Sequence, residues 1–223
     1  MTQASLAHID VIIPCRDVDA YLGEAIASAI KQEGVLTRVI VVDAGSRVPI
    51  VLVPEWAEHE RVTLVRSETA LLGGGARNAG LAFASADYIS FLDADDLWSP
   101  ERCRVLLDAL EGGGADIAMG QIEHFSDGQT ELNVPEGLQA GLVAGGMLLA
   151  RADFDRVGLF DDELRAGEFI DWFNRARVAG LTTTTVPEVA LRRRVHSASI
   201  TATQMEARMD YLKVVRRWMS RND

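Results

Sequence analysis

The chain has 223 residues, 48% of them hydrophobic and 25% charged, the balance of a globular protein able to bury a sizeable core. Its formal net charge of −11 argues against a general binder of phosphate backbones, so no nucleic-acid partner is expected. Two cysteines, Cys15 and Cys103, in no CxxC pair, exclude a disulfide framework; with no leader-like pattern at the N-terminus and no apolar run of about 20 residues, a cytoplasmic protein is expected.

Strand and helix signals then alternate. The β-branched run "IDVIIP" (9–14) reads as a buried strand, and "DAYLGEAIASAI" places Leu22, Ile26 and Ile30 on one helix face. "RVIVVDAG" (38–45) is a second strand stopped by Gly45; residues 50–60 read as a short helix around Trp56 or as a loop; "RVTLVRS" (61–67) is a third strand. "GGGARNAGLAFAS" (73–85) reads as a glycine-rich loop entering a helix, and "DYISFLDADD" (87–96) as a fourth strand. "SPERCRVLLDAL" (99–110) has Ser99 as helix cap and Pro100 at the first helical position, and "GGG" (112–114) closes it.

Beyond residue 115 the rhythm changes. "ADIAMGQIEHF" reads as a longer strand, and "SDGQ" (126–129) as a hairpin turn. "GGMLLARADF" (145–154) gives another strand and turn, and "GEFIDWFNRARVAG" (167–180) a helix ended by Gly180. Residues 181–196 read as extended segments broken by Pro187, and a final amphipathic helix is expected from about Ala202 to Ser220. Strand and helix in this order predict an α/β fold with a mostly parallel central sheet flanked by helices. In such sheets ligands lie beyond the carboxyl ends of the strands, where "PCRD", "DAGS" and "DADD" all fall.

Asp93, Asp95 and Asp96 crowd three carboxylates into four positions. Two carboxylates at i and i+2 past a strand can turn toward one hard cation, which keeps waters and shares itself with substrate phosphates; turn chemistry and a helix cap would also use Asp there. "LLGGGARNAG" lacks the Gly-Lys-Ser/Thr of a phosphate-binding P-loop, and its glycines miss the dinucleotide spacing. It is either a loop that lets backbone approach a phosphate, with Arg77 supplying charge, or a plain connection.

"VIIPCRD", "IVVDAGS", "GGGARNAGLAFASADYISFLDADDLWSPERC" and "GEFIDWFNRARVAGL" together resemble glycosyltransferase family 2, in that family's order and spacing. The resemblance implies a single domain of the nucleotide-diphospho-sugar transferase (GT-A, Rossmann-like) fold over 1–223. Residues 1–110 would form its nucleotide-binding half, 111–200 its acceptor side and 201–223 a C-terminal helix. It also implies an inverting transfer from a nucleotide-diphosphate sugar, most often a UDP sugar, to an acceptor hydroxyl. On it, Pro14 and Asp43 lie by the base and ribose, Arg77 near the nucleotide pocket, Asp93 at ribose or metal, and Asp95 on Mn²⁺ or Mg²⁺, with His196 of "RVHSAS" as a further metal ligand. One of Arg192, Arg193 and Arg194 would meet the diphosphate, while Trp98 packs the turn after the strand.

The sequence departs from that pattern in three places. Asp43-Ala44 stands where two acidic residues are usual, Arg16-Asp17 where an aromatic residue and Asn are usual, and Glu168-Phe169 where Glu-Asp opens the late helix. Glu168 and Asp171, at i and i+3 on one helix face, are the candidate catalytic base and its neighbour. The competing expectations are a GT-A domain that binds nucleotide or nucleotide sugar without transfer, and a sugar nucleotidyltransferase, whose glycine-rich loop after the first strand is lacking here. The acceptor is expected to be a sugar, a lipid-linked saccharide or a small molecule. "KVVRRWM" (213–219) would give peripheral contact at the inner face of the membrane, or a homodimer.

Overall fold

The computed structural model describes residues 6–17, 20–126, 128, 134–196 and 214. In chain order the elements are β1 (His8–Cys15), α1 (Leu22–Ile30), β2 (Leu36–Asp43), α2 (Pro54–Ala57), β3 (Val62–Arg66), α3 (Gly73–Leu81), β4 (Tyr88–Phe91), α4 (Arg102–Gly113), β5 (Ile117–Ser126), β6 (Leu138–Ala140), β7 (Met147–Ala150), α5 (Arg151–Val157), α6 (Glu168–Val178) and β8 (Thr183–Val195), with a 3₁₀ turn over Ala144–Gly146. The helix expected over 202–220 and the membrane or dimer contact assigned to it lie outside the described residues, apart from Val214. No helix among the described residues is long and apolar enough to cross a membrane.

One sheet runs through the molecule in the order β3-β2-β1-β4-β7-β5-β6, with β8 paired to β5. β3, β2, β1 and β4 are mutually parallel; β7 lies antiparallel between β4 and β5, and β8 is parallel to β5. The β-branched residues of β1 serve two cores because side chains alternate across a strand. Ile9, Val11 and Ile13 pack with Leu22 and Ile26 of α1 and with Cys103 and Leu106 of α4. Ile12 faces the other way, into Ile40, Val42, Phe91, Phe154, Phe160 and Trp172. Both faces of the central strands are covered, which is why they read as continuous apolar runs. On the second face Gly80 of α3 lies so close to β1 that a Cβ there would come within 2.5 Å of Ile12 Cγ2.

This topology sets the functional edge. β1, β2 and β4 point the same way, so Cys15, Asp43 and Phe91 end at one edge. Reversal through β7 returns β5 and β8 to that direction, and β8 therefore delivers His196 to the same edge from far along the chain. Several local expectations are corrected. β4 stops at Phe91, so residues 93–96 form a turn, closed by Asp96 N–H donating to Asp93 O at 3.1 Å. The glycines of 73–75 are not a loop but the first turn of α3. α4 begins at Arg102 and runs through Gly112 and Gly113, and Gly114, at φ 66°, ends it. The hairpin turn expected at 126–129 lies partly outside the described residues; the strand paired antiparallel with the end of β5 begins at Leu138. β8 passes straight through Pro187, because register shifts around Gln121 leave Pro187 opposite no ladder partner.

At the far end of the sheet Asp10 is fully buried and accepts from Arg38 Nε (2.8 Å), Arg38 Nη2 (2.9 Å), Ser85 N–H (2.5 Å) and Ala86 N–H (2.8 Å). Burial alone would raise its pKa; the bonds from Arg38 and the two amides outweigh that and hold it below the usual carboxylate range. A depressed native pKa contributes stability that is present above the unfolded value and lost as pH falls through the native one. Asp10→Asn should therefore cost about 2 kcal/mol at neutral pH. In thermal melts the variant and the parent should converge once the pH drops below the ordinary carboxylate range.

Candidate active site

The carboxylates after β4 are met by groups from two other elements, α3 and the end of β8. Arg77 of α3 is buried and forked: Nη2 donates to Asp93 Oδ1 and Nη1 to Glu168 Oε1, both at 2.6 Å. Burial works against its charge, but Asp93 and Glu168 carry its pKa above the usual guanidinium value. Among the described residues its Nε has no hydrogen-bond partner. The glycines of α3 permit this approach. A Cβ on Gly73 would sit 3.2 Å from both Arg77 Nη1 and Glu168 Oε1, and one on Gly74 would strike Asp161 O at 2.5 Å. The glycine segment is thus a joint between α3 and the start of α6.

Asp95 meets His196, whose Nε2 lies 2.9 Å from Asp95 Oδ2; His196 is buried with its ring 5.3 Å from that of Tyr21. Asp96 is buried and accepts Arg194 N–H on Oδ1 at 2.9 Å. Burial, then the charges of Asp93 and Asp95, push its carboxyl well above the usual range. Asp93, Asp95, Arg77, Glu168 and His196, predicted from distant stretches of sequence, are therefore brought together. Asp171 is not: it is buried one turn along α6, held by Arg175 Nε at 3.0 Å, and Arg175 in turn caps Val157 O and Leu159 O. Phe169 is in the core beside Trp172 and Phe173.

On the other flank Asp43 is fully buried at the end of β2. Oδ1 accepts Ser46 N–H at 2.8 Å; Oδ2 accepts Ile50 N–H at 3.1 Å and Arg66 Nη1 at 2.5 Å. Burial pushes its pKa up, but the Ser46 and Ile50 bonds and Arg66 hold it below the usual range. Asp43 thereby pins the loop after β2, where Gly45, at φ 79°, passes 2.4 Å from Thr69 O by the measure of an added Cβ. Pro14 lies beyond the last residue of β1 that pairs with β4, where its missing N–H costs no ladder bond on that side. Asp17, at φ 54°, ties the neighbouring loop by accepting Arg47 N–H at 2.9 Å and donating its own N–H to Ser46 Oγ at 3.0 Å. Trp98 packs as expected, its Nε1 donating to Gly145 O at 3.0 Å under the Arg102 guanidinium.

Sequence reading missed Glu24 and took Arg194 only as one of three candidate diphosphate contacts, not as a partner of the carboxylate turn. The one available signal was the Arg-Val-His spacing, which puts residues 194 and 196 on the same side of a strand. Among the described residues no group of three His, Cys, Asp or Glu side chains surrounds a cation position. Asp95 and His196 offer one oxygen and one nitrogen, a donor pair suited to a Mn²⁺ or Mg²⁺ ion that takes its other ligands from waters and phosphates.

Replacing Arg77 removes the cation shared by largely buried Glu168 and half-exposed Asp93. Arg77→Met should lower stability by about 3 kcal/mol. Glu168→Gln should cost less in that background than alone, with a coupling of about 1 kcal/mol or more by denaturant titration of the double-mutant cycle.

Comparison with known proteins follows this geometry. Residues 10–160 match the model of "Glycosyl transferase family 2". The succinoglycan biosynthesis protein ExoO of Rhizobium meliloti (strain 1021) is 36% identical over 107 residues, covering 48% of this chain and 31% of that protein. ExoU, another succinoglycan biosynthesis protein of the same organism, is 27% identical over 205 residues, 81% of this chain and 60% of that protein. The chain thus spans less than two thirds of either relative. Among solved structures, S. aureus TarS 1–349 in complex with UDP-GlcNAc superposes with a TM-score of 0.79 at 18% identity, over 94% of this chain and 65% of that one, which shows the same fold. With the family model covering two thirds of the chain, including the glycines of α3 and the carboxylate turn, the chain belongs to glycosyl transferase family 2.

Proposed function

We propose that this chain transfers a sugar from a nucleotide-diphosphate sugar, a UDP sugar first, to a hydroxyl of a saccharide acceptor, with inversion and with Mn²⁺ or Mg²⁺ bound. The observation that carries the reading is the convergence of Asp93, Asp95 and His196 at the edge of the sheet where the strands end. The bound UDP-GlcNAc of TarS supports the donor class, and the succinoglycan role of ExoO and ExoU supports a saccharide acceptor, free or lipid-linked.

Asp95 and His196 would hold the ion, with Asp93 beside it. When bound, a divalent ion neutralises charge gathering on a diphosphate leaving group. Pro14 and Asp43 shape the base side of the donor pocket, Asp43 through the loop it pins. Arg77 orients Asp93 on the donor side and Glu168 on the acceptor side with one guanidinium. Glu168 is the proposed general base. Arg77 fixes its Oε1, and Oε2 takes the acceptor proton as the acceptor oxygen bonds to the anomeric carbon and the bond from that carbon to the diphosphate oxygen breaks. Asp171 supports this helix start through Arg175. A second reading, a domain that binds donor without transfer, is favoured by Phe169 in the core, where the family pattern has an acid.

The deciding experiment pairs calorimetry with a donor-hydrolysis assay on UDP-GlcNAc and UDP-glucose. UDP should bind more tightly with Mn²⁺ than without it, and Asp95→Asn should reduce that metal-dependent affinity at least tenfold, about 1.4 kcal/mol. Glu168→Gln should leave UDP binding intact and slow turnover roughly 10²-fold, with a smaller effect from Asp171→Asn. Larger loss at Asp171 than at Glu168 reverses the two roles. Tight donor binding with no turnover, in the unmutated protein and across acceptors, replaces the transferase reading by the binding one.

A further inference from the structure

Asp95 and His196 are 101 positions apart, and nothing in their own bond explains how they are brought into register. The register comes from β8 lying along the segment after the carboxylates. Leu97 N–H donates to Arg192 O at 2.9 Å and Arg192 N–H to Leu97 O at 2.8 Å, an antiparallel bridge that starts the zipper. Two residues on, Arg194 closes it three times. Its main-chain N–H donates to Asp96 Oδ1 at 2.9 Å, its Nε to the carbonyl oxygen of Asp95 at 2.9 Å, and its Nη2 to Glu24 Oε2 of α1 at 2.8 Å. The faces of the guanidinium are covered by Tyr21, 4.2 Å away, and Phe125, 4.7 Å away.

An arginine at the rim of a site for diphosphates is ordinarily a phosphate contact, but Arg194 is buried, with Nε and Nη2 committed and rings packed above its plane. It grips the main chain of one donor residue, the side chain of the next acid, and, through alternation along β8, sets the side on which His196 emerges. Tyr21 joins the two, since its ring touches both the guanidinium and the imidazole. Glu24 is the only group in this set that faces solvent with a side chain more than half exposed, so it braces the guanidinium from outside the site.

We propose that Arg194, braced by Glu24, is the positioning residue that holds Asp95 against His196 as a preset pair for a divalent cation. The proposal rests on the metal reading above. It assigns Arg194 no contact with donor or acceptor: its effect is on how tightly the ion is held, because outer partners that orient ligands are commonly worth about 10-fold to 100-fold in metal affinity.

The test is Mn²⁺ binding, followed by electron paramagnetic resonance with UDP present, beside UDP affinity without metal and the melting temperature. Arg194→Met should weaken Mn²⁺ binding about tenfold or more, with metal-free UDP affinity unchanged. Arg194→Lys, which can keep one of the side-chain bonds, should fall between. Glu24→Gln should weaken Mn²⁺ binding severalfold. Glu123→Gln, which breaks an ion pair with Arg192 on the same two strands, should leave it unchanged. Undiminished Mn²⁺ affinity in a folded Arg194→Met overturns the proposal; should that variant not fold, undiminished affinity in both Arg194→Lys and Glu24→Gln does so. An equal loss in Glu123→Gln also overturns it, since the cause is then the general stability of β8. Failure of the unmutated protein to bind Mn²⁺ with or without UDP removes the metal reading itself, a result separable from all of these.

Discussion

Three carboxylates within four residues at the end of a strand are a problem of like charge before they are a site. Asp93, Asp95 and Asp96 stand close enough that Asp96, the most buried, has its carboxyl pushed toward the neutral form by burial and by its two neighbours. The turn persists because cationic or ring nitrogen groups come to it from separate parts of the chain: Arg77 from α3, Arg194 and His196 from β8. Two distant elements are thereby brought to the same edge.

The second consequence is a division of labour among the arginines. Arg77 and Arg194 are both buried and both forked, yet they hold different residues of the turn. Arg77 ties the turn to α6, and so links the strand ends to the helix that carries Glu168. Arg194 ties it to α1 and β8. A guanidinium suits both positions because its planar fork holds two acceptors in fixed directions, which an ammonium cannot do. Glycine makes the first of these bridges possible. With side chains at 73 and 74, α3 could not lie against Asp161 and Glu168.

The base flank follows a different logic. Asp43 is consumed by its own loop, with both oxygens accepting from Ser46, Ile50 and Arg66. A carboxylate so placed defines the shape of a wall through main-chain amides. The neighbouring Asp17–Arg47 and Asp17–Ser46 ties continue that pattern, in which acids near the strand ends fix loops. In the turn after β4, by contrast, Asp93 stays half-exposed.

Much of this was written in local pattern. Alternating β-branched runs gave the strands of the parallel half, since burial on both faces leaves a continuous apolar signal, and the periodicity of Leu22, Ile26 and Ile30 gave the helix that covers one face. The carboxylates after β4, Arg77, Glu168 and His196 were legible as candidates because charge at a strand end or helix start stands out against apolar runs. What local pattern could not supply was who meets whom. The glycines of 73–75 look like a flexible loop until Asp161 and Glu168 are seen pressed against them. Pro187 looks like a strand breaker until the bulge at Gln121 absorbs it. Asp171 shares a helix face with Glu168 in sequence, but Arg175 turns it away from the turn. Asp43 and Arg194 stand out in sequence as charged residues, but their partners within the chain do not. The sequence by itself determined most of the elements, the edge of the sheet at which charged residues gather and the candidate site residues there. Tertiary structure alone decided their pairing, because ion pairs and hydrogen bonds across 70 or more positions depend on strand order and register, which no local periodicity encodes.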